Sequence, residues 1–228
     1  MSRSGARCLV GNGAELVRER ALAARVQGAL ERVYQLERVA DVGDYLRSAQ
    51  AGEREELLLR EADDGALEVT LRLPRLAPRE TAVADATTGA ADRTLDGLCQ
   101  IIEGVSHFVY VVERARMQRA TTHLELEVQA EVDKWVVLAD CMHGFNARRS
   151  AELRAQLYEN VSFEHDGESE LGERYRVAND TAHAFIRKIE GDYLEAARYG
   201  ELRAELRRFF HVGQEEKLRL GRERSRRH

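Results

Sequence analysis

The chain has 228 residues, enough for one globular domain or two small ones with a sizeable hydrophobic core. Apolar residues make up 43% and charged residues 33%, which excludes wholesale disorder, while 2 prolines and 6% aromatics weigh against an all-β sandwich. No uninterrupted apolar run reaches the roughly 18 residues of a membrane span, and the N-terminus lacks a signal-peptide core, so the sequence reads as cytoplasmic with no membrane partner.

Cys8, Cys99 and Cys141 are widely spaced and contain no C-x-x-C pair, a pattern of reduced thiols rather than a disulfide framework or a zinc site. The net charge is -5, and the cations are 32 arginines and 3 lysines (Lys134, Lys188 and Lys217). With only 4 asparagines, that bias reflects genomic base composition and carries no sign of phosphate recognition.

Residues 14–40 predict an amphipathic helix, with Leu16, Ala23, Val26, Leu30, Val33 and Leu36 among its apolar positions. Gly43 is read as its end, and Asp44 as the cap of a short helix around Tyr45 and Leu46. The period then changes. Leu67, Val69, Leu71 and Leu73 alternate with polar residues, as in a half-buried strand. With Leu57 to Leu59 upstream and Asp63-Asp64-Gly65 between, a β-hairpin over residues 55–73 is predicted.

Pro74 and Pro78 close that hairpin, and residues 77–94 are small and polar without period, which reads as a linker. Leu95, Leu98, Ile102, Val105, Val109 and Val112 recur at steps of three and four, the seam of a central helix. Gly104 in its middle predicts close approach of another element. Thr122 and Glu125 have capping-box spacing and open a second helix through Met142, joined to the first by a short antiparallel turn. A short helix at 148–158, irregular chain at 161–167, and helices at 168–190 and 192–211 follow. The fold class predicted is mainly α: a helical bundle-like core over 95–212, with one N-terminal β-hairpin from the 1–76 region packed against it. Residues 213–228 read as a mobile basic tail, because Leu218 and Leu220 stand only two apart.

Two polar stripes carry what chemistry the sequence offers. Glu103 and His107 lie one turn apart beside the apolar seam, as do Glu127 and Glu131 on the next helix. Facing each other, they could hold a divalent metal or share a proton. The dinuclear carboxylate pattern wants two Glu-x-x-His pairs, which these helices lack. The expectation is therefore a solvated face with a surface Glu131–Lys134 pair, no complete site and no metal. Tyr175, Asn179, His183 and Arg187 form a second stripe that could line an anion-holding cleft or simply be an exposed face. Ser106 beside His107 is not a nucleophile pair, since neighbouring helix positions diverge by about 100°.

Nucleotide-binding and hydrolase motifs are missing, and no cofactor is indicated. The functional reading is a non-catalytic interaction or regulatory protein, presenting helix faces to a protein partner or to a second copy of itself. One alternative is a metal-binding protein or enzyme using the Glu103, His107, Glu127 and Glu131 cluster. Another is a nucleic-acid accessory protein using the basic tail, where residues 207–228 hold 8 basic and 3 acidic residues.

Overall fold

The computed structural model describes residues 17–38, 40–50, 53–61, 67–74, 88–159 and 169–223. The first amphipathic pattern becomes helix α1, Val17–Tyr34. It ends at Gln35, whose φ of 57° is left-handed, and the Leu36 N–H reaches back to the Glu31 carbonyl at 3.0 Å. The helix is shorter than the periodicity predicts, because nothing in the sequence marks a glutamine as its breaker. Helix α2, Val42–Tyr45, is capped by Asp41, whose side chain accepts from the Gly43 N–H at 2.8 Å. Asp44 lies inside that turn and is not its cap.

Leu46 leaves the helix and opens strand β1, Leu46–Ser48. Strands β2, Glu56–Glu61, and β3, Leu67–Leu73, pair antiparallel from Glu56↔Arg72 to Glu61↔Leu67, as the alternation predicts. The predicted turn at Asp63-Asp64-Gly65 lies outside the described residues. β1 adds parallel to β3, giving the order β1-β3-β2. Three residues are too few to show a period, so this strand was invisible in the sequence.

Helix α3, Thr88–Arg116, begins inside the stretch read as a linker, where small residues replace the apolar seam. Helix α4, His123–Asp140, starts at the predicted cap, with the Glu125 N–H donating to Thr122 Oγ1 at 3.1 Å. The Glu125 side chain does not close the box; it accepts from the Tyr110 hydroxyl at 2.5 Å and meets Arg114 at 3.1 Å. Contacts of 103 with 134, 107 with 127 and 110 with 125 run in opposite directions, so α3 and α4 form the expected antiparallel hairpin.

Leu71 and Leu73 pack this hairpin against the sheet at Gly104, where an added Cβ would meet both side chains at 3.0 Å. The close approach predicted for this glycine comes from side chains of the sheet. Residues 95–116 have the length and composition of a membrane-crossing helix, and more than half of that apolar window is buried inside the fold. Its neighbours there are α1, α4 and β3.

Helix α5, Ala147–Arg154, is capped by Asn146 and runs into a π-helical turn, Ala155–Glu159. Helix α6, Glu170–Ile189, ends in a second π-helical turn, Glu190–Leu194. The single helix predicted over 192–211 is therefore interrupted, and helix α7 spans Tyr199–His211. The predicted irregular stretch at 161–167 lies outside the described residues. Cys141 is exposed at the end of α4, while Cys99 is half-buried on α3.

The C-terminal segment departs most from expectation. Gln214–Arg222 forms helix α8, which packs on α6 and α4 through Lys217, Leu220 and Gly221. Leu220 and Gly221 lie three and four positions after Lys217, on one helix face, but a lysine and a glycine stand where hydropathy looks for apolar residues. Lys217 is 0% exposed. At Gly221 an added Cβ would fall 2.9 Å from the Thr181 carbonyl oxygen and 2.7 Å from its Cγ2. Gly221→Ala is thus expected to destabilise the protein by about 1–3 kcal/mol, as overpacking does. Urea denaturation checks this, and an unchanged midpoint would mean that α8 is not docked so closely.

Candidate metal centre

The α3–α4 hairpin turns two different polar faces inward. On one, Ser106 and Tyr110 from α3 meet Gln129 and Asp133 from α4. Asp133 accepts from Ser106 Oγ at 2.6 Å, from Gln129 Nε2 at 2.8 Å and from the Tyr34 hydroxyl of α1. Lys217 donates to Gln129 Oε1 at 2.6 Å and to the Phe209 carbonyl at 2.5 Å, with the Tyr110 and Phe209 rings around it. Burial lowers the Lys217 ammonium to about 7 although Asp133 and Glu125 oppose this, and burial pushes the Asp133 carboxyl up to about 6 despite its donors. Each of these atoms has a partner, so this face is a closed network joining α1, α3, α4, α7 and α8.

The other face gathers all four residues of the first stripe. Glu103 and Glu127 are buried, and the His107 and Glu131 side chains are 13% and 15% exposed, so the expected solvated face does not exist. Burial arises because α6 covers α4 here and Glu55 closes in from the segment before β2. His107 Nε2 approaches Glu127 Oε2 at 3.7 Å, and Arg174 of α6 approaches the other Glu127 oxygen at 3.9 Å. Lys134 Nζ lies 2.9 Å from Glu103 Oε2 and 2.7 Å from Glu131 Oε1. The Glu131–Lys134 pair predicted for the surface is therefore real but buried.

One donor atom each from Glu103, His107 and Glu127 lie within 4.8 Å of one another. Ligands of an ion at 2.0–2.2 Å stand about 3–3.5 Å apart, so small side-chain rotations would close this set. His107 Nε2 is buried without a hydrogen-bond partner, and burial lowers the imidazole's pKa although Glu103 opposes it. A neutral ring with an open nitrogen is a metal-ligating form.

The surrounding charge is unbalanced. Glu55, Glu103, Glu127 and Glu131 face Lys134, with Arg54 at 3.9 Å from Glu55 and Arg174 at 3.9 Å from Glu127. Burial alone would raise Glu103, but the Lys134 ammonium, above all, brings it down to about 2. Burial also works against the Lys134 ammonium, yet Glu103 and Glu131 hold it well above its ordinary value. Glu131 is raised by burial, which Lys134 offsets in part. The remaining two are held protonated: burial, with Glu103 adding, pushes Glu127 up to about 8 and Glu55 to about 9. Two neutral buried carboxyls beside an open imidazole nitrogen mark a place short of positive charge.

The second stripe does not stay together. Tyr175 borders the first cluster, where burial and Glu127 raise its hydroxyl's pKa. Asn179 is buried and donates to the Tyr158 carbonyl at 3.3 Å, while Tyr158 in turn donates to the Glu131 carbonyl at 2.8 Å. His183 sits against Arg154 at 2.9 Å and Glu159 at 3.4 Å, and Arg187 is exposed.

Glu55 and Tyr175 are site residues that the first stripe missed. Glu55 comes from the edge of the hairpin, and only the packing of that hairpin on Gly104 brings it near; its Cβ is 3.4 Å from the position a Gly104 Cβ would take. Among the described residues, the large exposed apolar side chains, Val17, Leu59 and Tyr199, are spread over α1, β2 and α7. Arg219, from the segment read as a basic tail, is paired with Glu216 and Glu223. Comparison with protein-family models, with curated proteins and with solved structures gives no match for this chain.

Proposed function

We propose that the protein binds one divalent cation between α3 and α4 through Glu103, His107 and Glu127. The observation that carries this reading is the convergence of three buried donors within 4.8 Å, one of them an imidazole nitrogen with no other partner. One imidazole and two carboxylates suit Mn2+, Fe2+ or Zn2+ better than Ca2+ or Mg2+, which favour oxygen-only sets. Three protein ligands leave room for water or a substrate atom on the ion, the arrangement of reactive rather than purely structural sites. We put this reading ahead of the helix-face interaction protein expected from sequence because the converging donors support it; the large exposed apolar side chains among the described residues are Val17, Leu59 and Tyr199.

The test is metal analysis and calorimetric titration of chelator-treated protein with Mn2+ and Zn2+. One equivalent per chain is expected, and His107→Ala should weaken binding at least tenfold, in line with loss of a ligand. Glu127→Gln should do the same. Absence of saturable binding, or equal binding by wild type and His107→Ala, would sink the proposal.

A further inference from the structure

We infer that Glu103 joins two cation positions and that Lys134 permanently fills the second, so that neutralising Lys134 opens a second divalent-cation site. For the first position this rests on the divalent-cation reading above. The Glu103 carboxylate is shared: Oε2 holds the Lys134 ammonium at 2.9 Å, and the same side chain supplies a donor to the His107–Glu127 set. Glu131 Oε1, at 2.7 Å, is the second oxygen on the ammonium. A carboxylate spanning two neighbouring positive charges is the plan of two-metal centres, whose ions stand about 3.5–4 Å apart. Here one of the two charges is tethered to α4.

Two further observations point to the second position as a place for a cation. Glu55 Oε2 is buried without a hydrogen-bond partner, on a side chain 8% exposed; Arg54 approaches it at 3.9 Å, and Glu103, Arg54 and Lys134 all act on its carboxyl. Cys99, one turn before Glu103, is also within electrostatic reach of Lys134. Glu55 is thus a further carboxyl within electrostatic reach of the ammonium, beyond the two carboxylates that hold it.

The identity of residue 134 also fits this role. All three lysines of this arginine-rich chain are buried, at 9% for Lys134, 6% for Lys188 and 0% for Lys217. A bias that favours arginine elsewhere has left lysine where a compact point charge is enclosed. A planar guanidinium, with its donors spread in a fork, is a poor substitute between Glu103 and Glu131.

The experiment counts Mn2+ bound per chain in the full-length wild type, Lys134→Gln and Lys134→Gln/Glu131→Gln, each stripped with chelator and titrated. One equivalent is expected for wild type, two for Lys134→Gln, and one again for the double variant. One equivalent for Lys134→Gln overturns the inference and leaves the proposed function standing. None for wild type with one for Lys134→Gln removes the proposed native site but supports the tethered-cation position. None for both sinks the two together. If Lys134→Gln is too unstable to titrate, thermal melts decide: excess Mn2+ should restore its melting temperature to near that of wild type. Failure of Mn2+ to restore it would overturn the inference.

Discussion

Removing residues 214–228 should leave a chain that no longer folds cooperatively at room temperature. Helix α8 supplies Leu220, which is fully buried, and brings the Gly221 backbone against Thr181 of α6. Above all it supplies Lys217, the only cation within hydrogen-bond reach of Gln129 and the Phe209 carbonyl among the described residues. Without it, Gln129 Oε1 and that carbonyl lose their donor, and buried Asp133 loses the charge facing it. Breaking a buried charged contact from one side costs about 3–5 kcal/mol, a large part of a domain's net stability. Lys217→Ala alone should show that loss in urea denaturation. Lys217→Met, which keeps the apolar stem among the Tyr110 and Phe209 rings, should recover part of it. A truncated protein melting like the full chain would show that the network does not depend on α8.

The contrast between α3–α4 and α8 shows what a sequence can convey. The seam through Ile102, Val105 and Val109 is a run of apolar residues at helical steps, and each is buried as the pattern requires. The strand alternation at Leu71 and Leu73 is equally direct. In α8 the inward positions are a lysine, a leucine and a glycine, so the same reading sees charge and flexibility. What docks the helix is an acceptor pair contributed by Gln129 and Phe209, 88 and 8 positions away. Hydropathy along the chain carries no record of such a partner.

The candidate centre follows the same logic. Its four named residues were legible because helical spacing fixes which side chains share a face. Their burial was not legible, since the covering elements are α6 and the segment before β2, distant in sequence and unmarked by motif. Surface experience with paired charges therefore gave the wrong environment for Glu103, His107, Glu127 and Glu131. The second stripe shows the converse. Tyr175, Asn179, His183 and Arg187 share spacing on α6, yet the helix turns enough that the first borders the cluster and the last faces water.

In chelator, the protein is expected to become less stable as the pH rises from about 6.5 to about 8. Glu127 and Glu55 keep their protons in the folded state up to about 8 and about 9, whereas in the unfolded chain they ionise near the ordinary value of about 4.3. Folded protein thus binds more protons than unfolded protein over this window, and stability contributed by these two groups is lost as pH climbs through their folded values. Glu131, also raised, acts in the same direction. Lys217 opposes them above about 7, because its lowered value makes the unfolded chain the one that binds the extra proton. His107, His183 and His211, each lowered in the fold by burial, also oppose them near the bottom of the window. Their effect fades as the unfolded imidazoles lose their protons above about 6.5, so the carboxyls set the sign over the rest. With two carboxyls against one lysine the net slope is on the order of 1 kcal/mol per pH unit, downward. Glu55→Gln/Glu127→Gln removes both carboxyls, and its stability should be flat or rise with pH over the same interval. Saturating Mn2+ should flatten the wild-type slope, since the ion takes Glu127 ionised and leaves Glu55 opposed by Lys217. Chemical denaturation at half-unit pH steps, with chelator and with Mn2+, measures all three curves. A wild-type curve in chelator that rises like the double variant's would mean that Glu55 and Glu127 are not held protonated in the fold.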